Sequence, residues 1–210
     1  TAVRNLQKEG FSNLPISIEK HGDIMKDAVE YYSKFSAEKS TIISEHSLVK
    51  NKFVLATIHR QENTDYKDKL KNIFAGLDEI NQYKKVILPL HPRTKKLLEK
   101  YKIETKITLI NPVGYFDMLE LLKHCNLVVT DSGGLQKEAF FNKKYCIIAR
   151  EETEWIELVE NGFAKIVGSS QQKMIISFQE FQKHKSDFSL SLYGDNVGEK
   201  IYQSIKKLIQ

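Results

Sequence analysis

Only two cysteines stand among the 210 residues. Cys125 and Cys146 lie far apart without metal-ligand spacing, which excludes a disulfide framework or zinc site and marks both as reduced core residues. No run approaches the roughly 18 to 20 unbroken apolar residues of a membrane span. The opening residues also lack the basic, then apolar, then small-residue order of a secretory signal. A cytoplasmic address with no membrane span is the expectation. Positive charge is present but not concentrated: 32 basic residues against 27 acidic ones leave +5, and lysines come in scattered pairs such as Lys84 with Lys85 and Lys143 with Lys144. With no single basic surface interleaved with aromatics, nucleic acid is not the expected partner. No internal repeat or low-complexity segment stands out, and 41% hydrophobic content is enough for a core.

What is present is alternation. By length and β-branching, residues 53–58 (FVLATI), 86–90, 107–110, 127–129, 145–149 and 164–167 read as strands. Helical spacing covers 67–81, the stretch through Leu97, Leu98 and Tyr101, 115–123, 135–141 and 154–160 between them. A polar opening to about Asn13 precedes a helix over 23–35 that Asp23 is placed to cap, and helices over 171–184 and 197–210 follow. Repeated βα units with short loops predict an α/β, Rossmann-like, doubly wound parallel sheet, with ligands gathering beyond the carboxyl ends of its strands. The expected division is a linker or inter-domain segment over 1–22, a ligand-binding domain over 23–194 and a terminal helix over 195–210.

Residues 126–141, NLVVTDSGGLQKEAFF, pass from buried strand through a glycine turn into a helix. Asp131 and Ser132 suit the helix start, Gly133 and Gly134 let a ligand approach the backbone, and the first helical amides face outward unpaired at the positive end of the dipole. This predicts an anion cradle. Glu138, one turn in, falls where a ribose lies if the anion is a nucleotide diphosphate. Ser-Gly-Gly after a strand also serves as a plain tight connection, so the neighbouring loops matter. His59, Arg60 and Glu62 follow the first strand, His91 and Arg93 the second, and Arg150, Thr153 and Glu154 the fifth. In a parallel sheet these share one edge, a set suited to an anionic, hydroxyl-rich ligand. The alternatives are structural: His59 holding its own loop, His91 packing beside Pro92, and Trp155 anchoring a helix start rather than stacking on a ligand.

Four motifs occur in order: TIHRQEN at 57–63, LHPRT at 90–94, TDSGGLQKEA at 130–139 and REETEWIE at 150–157. Together with ENGFAKIVG at 160–168 and YGDN at 193–196, they resemble the non-hydrolysing UDP-N-acetylglucosamine 2-epimerase family over essentially the whole chain. The resemblance implies the C-terminal, UDP-binding half of a glycosyltransferase-B architecture, with the N-terminal half missing. It places the family histidine on His59, the pyrophosphate loop on Ser132, Gly133 and Gly134, and the ribose-binding glutamate on Glu138. The implied reaction inverts C2 of UDP-GlcNAc to give UDP-ManNAc, by anti elimination of UDP and its re-addition, with no metal and no cofactor. UDP and a UDP-N-acetylhexosamine are the implied ligands, and family members are generally homodimers.

Two departures stand out. Thr153-Glu154-Trp155 replaces the usual TER, so tryptophan stands where a ligand-contacting arginine is expected, as in relatives acting on UDP-2,3-diacetamido-glucuronate or on the N-acetylfucosamine pathway. Met118 and Val113 stand where an aromatic and a glutamine usually meet the uracil. A UDP-sugar glycosyltransferase and a non-catalytic UDP-sugar-binding module, with Arg60 and His91 near a regulatory contact, are the remaining readings. The acid and base carboxylates of the family lie in the missing half, so the isolated chain is expected to bind UDP without epimerising.

Overall fold

The computed structural model describes residues 2–209. Residues 29–190 make one compact unit, and residues 2–28 with 191–209 make another. The larger unit is a six-stranded parallel sheet in the order β3-β2-β1-β4-β5-β6. Its strands are β1 (Phe53–Thr57), β2 (Lys85–Pro89), β3 (Thr108–Ile110), β4 (Leu127–Thr130), β5 (Tyr145–Ile148) and β6 (Ala164–Ile166). Every residue of β1 and β4 is buried. Helices cover both faces of such a sheet, so its central strands are continuous apolar runs rather than alternating ones.

In chain order the helices are α1 (Ala2–Lys8), α2 (Ile24–Lys39), α3 (Ile42–Glu45), α4 (Gln61–Thr64), α5 (Lys67–Tyr83) and α6 (Pro92–Tyr101), then α7 (Tyr115–His124), α8 (Gly133–Phe141), α9 (Ile156–Glu160), α10 (Gln171–Lys183) and α11 (Val197–Ile209). Leu70, Ile73, Phe74, Leu77 and Ile80 of α5 recur at helical spacing and are fully buried in the core. Gly76 lets α5 approach α10: a Cβ there would lie 2.8 Å from Met174 Sδ. Cys125 and Cys146 are buried and unpaired, and burial pushes the Cys125 thiol up to about 12.

Several boundaries differ from expectation. The polar opening contains α1, seven residues that include no buried one and so carry no apolar stripe by which the sequence could announce a helix. Helices α3 and α4, of four residues each, are too short to show a period. The helix expected from residue 154 starts at Ile156, because Thr153 Oγ1 accepts from the Trp155 amide and holds that segment as a turn. In the smaller unit Asp23 accepts from the Met25 amide at 2.9 Å and caps α2, and Asp27 accepts from Gly198 N at the start of α11. Among the described residues no helix is long and apolar enough to cross a membrane.

Candidate functional site

Strand order reverses between β1 and β4, because the chain leaves β1 toward β2 and leaves β4 toward β5. Connections on the two sides then diverge and leave a crevice at the carboxyl ends. Thr57 and Thr130, paired across the strands, share a hydrogen bond of 2.6 Å at its floor. Thr130 Oγ1 also accepts from Ser132 N at 2.9 Å, aiming the chain into the glycine turn.

A cleft of about 420 Å³ opens there, within the roughly 300–1,000 Å³ of small-molecule sites. One part is apolar, formed by Pro89, Pro112, Val113, Met118 and Leu135; the other is polar, with His59, His91, Ser132, Gly134 and Glu138. An apolar slot next to main-chain donors suits a flat ring joined to an anion.

Ser132 caps α8, its Oγ receiving the Leu135 amide at 3.5 Å. Gly133 and Gly134 hold the first two helical positions, whose amides have no partner within the helix. A Cβ added at 133 would make only ordinary contacts, 3.4 Å from Glu154 Oε2 and 3.5 Å from Arg60 Nη2, so these two side chains stand beside the turn without closing the position to a larger residue. Glu138 is half-buried in the cleft wall. Burial raises its carboxyl above the ordinary value, and the Lys137 charge opposes that rise. Burial, followed by the Glu138 charge, likewise raises the Tyr115 phenol.

The first loop is held by Asp131, a fully buried carboxylate read from sequence only as part of a helix start. It accepts from His59 N at 3.0 and 3.1 Å, Arg60 N at 2.9 Å and Asn63 Nδ2 at 3.1 Å. Asn63 donates also to Ala149 O at 2.8 Å and so ties the loops after β1, β4 and β5 together. The His59 ring lies with Nδ1 3.5 Å from Asp131 Oδ1, longer than a good hydrogen bond, and 5.9 Å from the His91 ring. His91 also caps α6: its Nδ1 accepts from Arg93 N at 3.2 Å, with Pro92 at the first helical position.

The remaining predicted residues are turned elsewhere. Arg93 pairs with Asp65 and reaches Thr64 Oγ1 at 3.3 Å. Arg150 is buried between two carboxylates, Glu62 at 2.9 Å and Glu154 at 2.8 Å. The hydrogen bond to Glu154 leads the causes that raise the Arg150 guanidinium, and in turn it leads those that lower the Glu154 carboxyl. This arginine, expected beside a ligand, spends Nε and Nη1 on these two carboxylates. Trp155 does not line the cleft, and Gly133 stands between two residues, Ser132 and Gly134, that do. The indole Nε1 donates to Gly133 O at 2.8 Å, with Lys137 Nζ 3.8 Å from the ring centroid. Sequence reasoning missed Asp131, Asn63 and Gln136 as supports. A polar residue inside a chemistry-bearing motif was the available signal, and all three are buried.

The family profile described as UDP-N-acetylglucosamine 2-epimerase matches residues 1–206. A UDP-N-acetylglucosamine 2-epimerase homolog of Methanococcus maripaludis is 38% identical over 99% of this chain and 59% of its own length. The UDP-2,3-diacetamido-2,3-dideoxy-D-glucuronate 2-epimerase of Pseudomonas aeruginosa is 40% identical over 84% of this chain and 49% of its own. The crystal structure of the Methanocaldococcus jannaschii UDP-GlcNAc 2-epimerase in complex with UDP-GlcNAc and UDP superposes with a TM-score of 0.85 at 34% identity, covering 98% of this chain and 59% of that one. The chain thus spans roughly half to three fifths of the relatives it matches.

Proposed function

The chain belongs to the UDP-N-acetylglucosamine 2-epimerase family, and from that premise we propose that it is the UDP-binding half of a UDP-sugar 2-epimerase, an isomerase of glycosyltransferase-B type. The observation that carries this is the cleft at the β1/β4 reversal, lined by Ser132 and Gly134 of the glycine turn, by Glu138 and by the apolar slot of Val113 and Met118. On this reading the cradle amides hold the diphosphate, Glu138 accepts from the ribose hydroxyls, and the uracil lies on Pro112, Val113 and Met118. His59 stands on the sugar side of the diphosphate.

The reaction is elimination of UDP from C1 with loss of the C2 proton, then re-addition with protonation on the other face. This half stabilises departing UDP: preorganised amides and the helix dipole meet the charge that develops on the leaving phosphate without having to reorganise. The carboxylates acting at C2 come from the part of the relatives' length that this chain does not span, in one polypeptide or as a second chain. UDP-GlcNAc is the proposed substrate. A modified sugar such as a diacetamido-glucuronate is the second reading, favoured by Trp155 in place of an arginine and by the 40% identical relative. Two buried free thiols support work in a reducing, cytoplasmic compartment.

Calorimetric titration with UDP and UMP, repeated on Glu138→Ala, tests the site. Binding that needs both phosphates and Glu138 is expected; no binding at millimolar UDP would count against a formed site. Conversion of UDP-GlcNAc by the isolated chain would show that the carboxylates at C2 are within it.

A further inference from the structure

The donors of the cradle are the amides of two consecutive glycines, the residues least able to hold a direction by themselves. Their peptide planes are fixed from behind. In a planar trans peptide the carbonyl of one residue points opposite to the amide of the next, so Ser132 O sets the Gly133 N–H and Gly133 O sets the Gly134 N–H. Both carbonyls receive side-chain donors. Gln136 Nε2 donates to Ser132 O at 3.2 Å and Trp155 Nε1 to Gly133 O at 2.8 Å. Thr153 joins the two: its hydroxyl donates to Gln136 Oε1 at 2.6 Å and accepts the Trp155 amide at 3.1 Å. The ring Ser132–Gln136–Thr153–Trp155–Gly133 therefore closes on the face of the turn away from the cleft. Gln136 is fully buried, and Lys137 lies over the indole, so neither donor is free to swing away.

We propose that Trp155, with Gln136, is a positioning residue for phosphate binding: it does not touch the ligand but aims the Gly133 and Gly134 amides at it. This rests on the nucleotide reading of the cleft. Holding the donors in their bound direction lowers the ordering cost of binding, and the gain falls only on the part of the ligand those amides meet.

The test is calorimetry of the whole chain with UDP and with UMP, comparing the parent with Trp155→Phe, which keeps a ring beside Lys137 and removes the N–H. UDP affinity is expected to fall about three- to tenfold, the worth of one such hydrogen bond, and UMP affinity by less than about twofold. Gln136→Met should reproduce the UDP-selective loss by releasing the other carbonyl. Equal losses for both nucleotides, or none, would overturn the proposal, since a purely structural role would not separate them. If the parent binds neither nucleotide, the UDP reading fails by itself. Amide exchange in the unliganded chain then decides the clamp: faster exchange in Trp155→Phe at Lys137, whose amide pairs with Gly133 O in the helix, supports it, and unchanged exchange overturns it.

Discussion

The connections after β4 and β5 leave adjacent strands at the same sheet edge, yet they are made of different material. The first is main chain, with Ser132, Gly133 and Gly134 presenting amides at the head of α8. The second is side chain: Arg150 binds Glu62 and Glu154, Thr153 binds Gln136, and Trp155 binds Gly133 O. A cradle built of backbone offers donors in a set direction, and the neighbouring polar side chains serve to keep it still.

The sharpest way to break this contrast is Asp131→Ala. The buried carboxylate serves two main-chain amides and the Asn63 side chain, so its loss leaves three donors without an acceptor. A destabilisation of about 3–5 kcal/mol by urea unfolding is expected; a cost under about 1 kcal/mol would mean that the loops are held by something else. Next, Arg150→Leu should cost about 1 kcal/mol of stability, since Glu62 and Glu154 are half-exposed and water can replace the lost bonds, with UDP affinity nearly unchanged. Loss of affinity at full stability would make Arg150 a ligand contact after all.

Glu138→Gln should behave in the opposite way, weakening UDP about tenfold, near 1.4 kcal/mol, while stabilising the free chain. The folded carboxyl holds its proton more tightly than the unfolded one. Its burial therefore costs nothing below the usual carboxylate range, and the penalty grows as pH rises through the raised value. The variant's thermal advantage should be present at about pH 7 and vanish toward about pH 4; an advantage that is constant with pH would sink this account. The smallest effect is expected in the apolar slot, where Met118→Phe should tighten UDP about threefold by adding a ring face. Weaker binding in the same titration would remove Met118 from the base site.

The strand, turn and capped helix around Ser132 were legible because they are local. Four consecutive buried residues, a capping serine and two glycines specify strand, turn and helix within one stretch, and Glu138 follows one turn later. Asp131 was read in that same stretch and its work was missed, because its partners lie 68 to 72 residues away across the sheet. Asn63 reaches Ala149 over 86 residues. Trp155 was weighed as stacking platform or anchor; its nitrogen is engaged 22 residues back, at a carbonyl that carries no sequence signal.

The six strands, the longer helices between them and the parallel sheet were legible in the sequence, since burial pattern and backbone preference act between near neighbours, whereas α1, α3 and α4 were not. Which polar residues line the cleft and which brace its loops depends on contacts across the sheet, between residues far apart in the chain. An arginine or carboxylate takes whichever partner the fold sets opposite it, and at this sheet edge the fold sets Glu62 and Glu154 opposite Arg150.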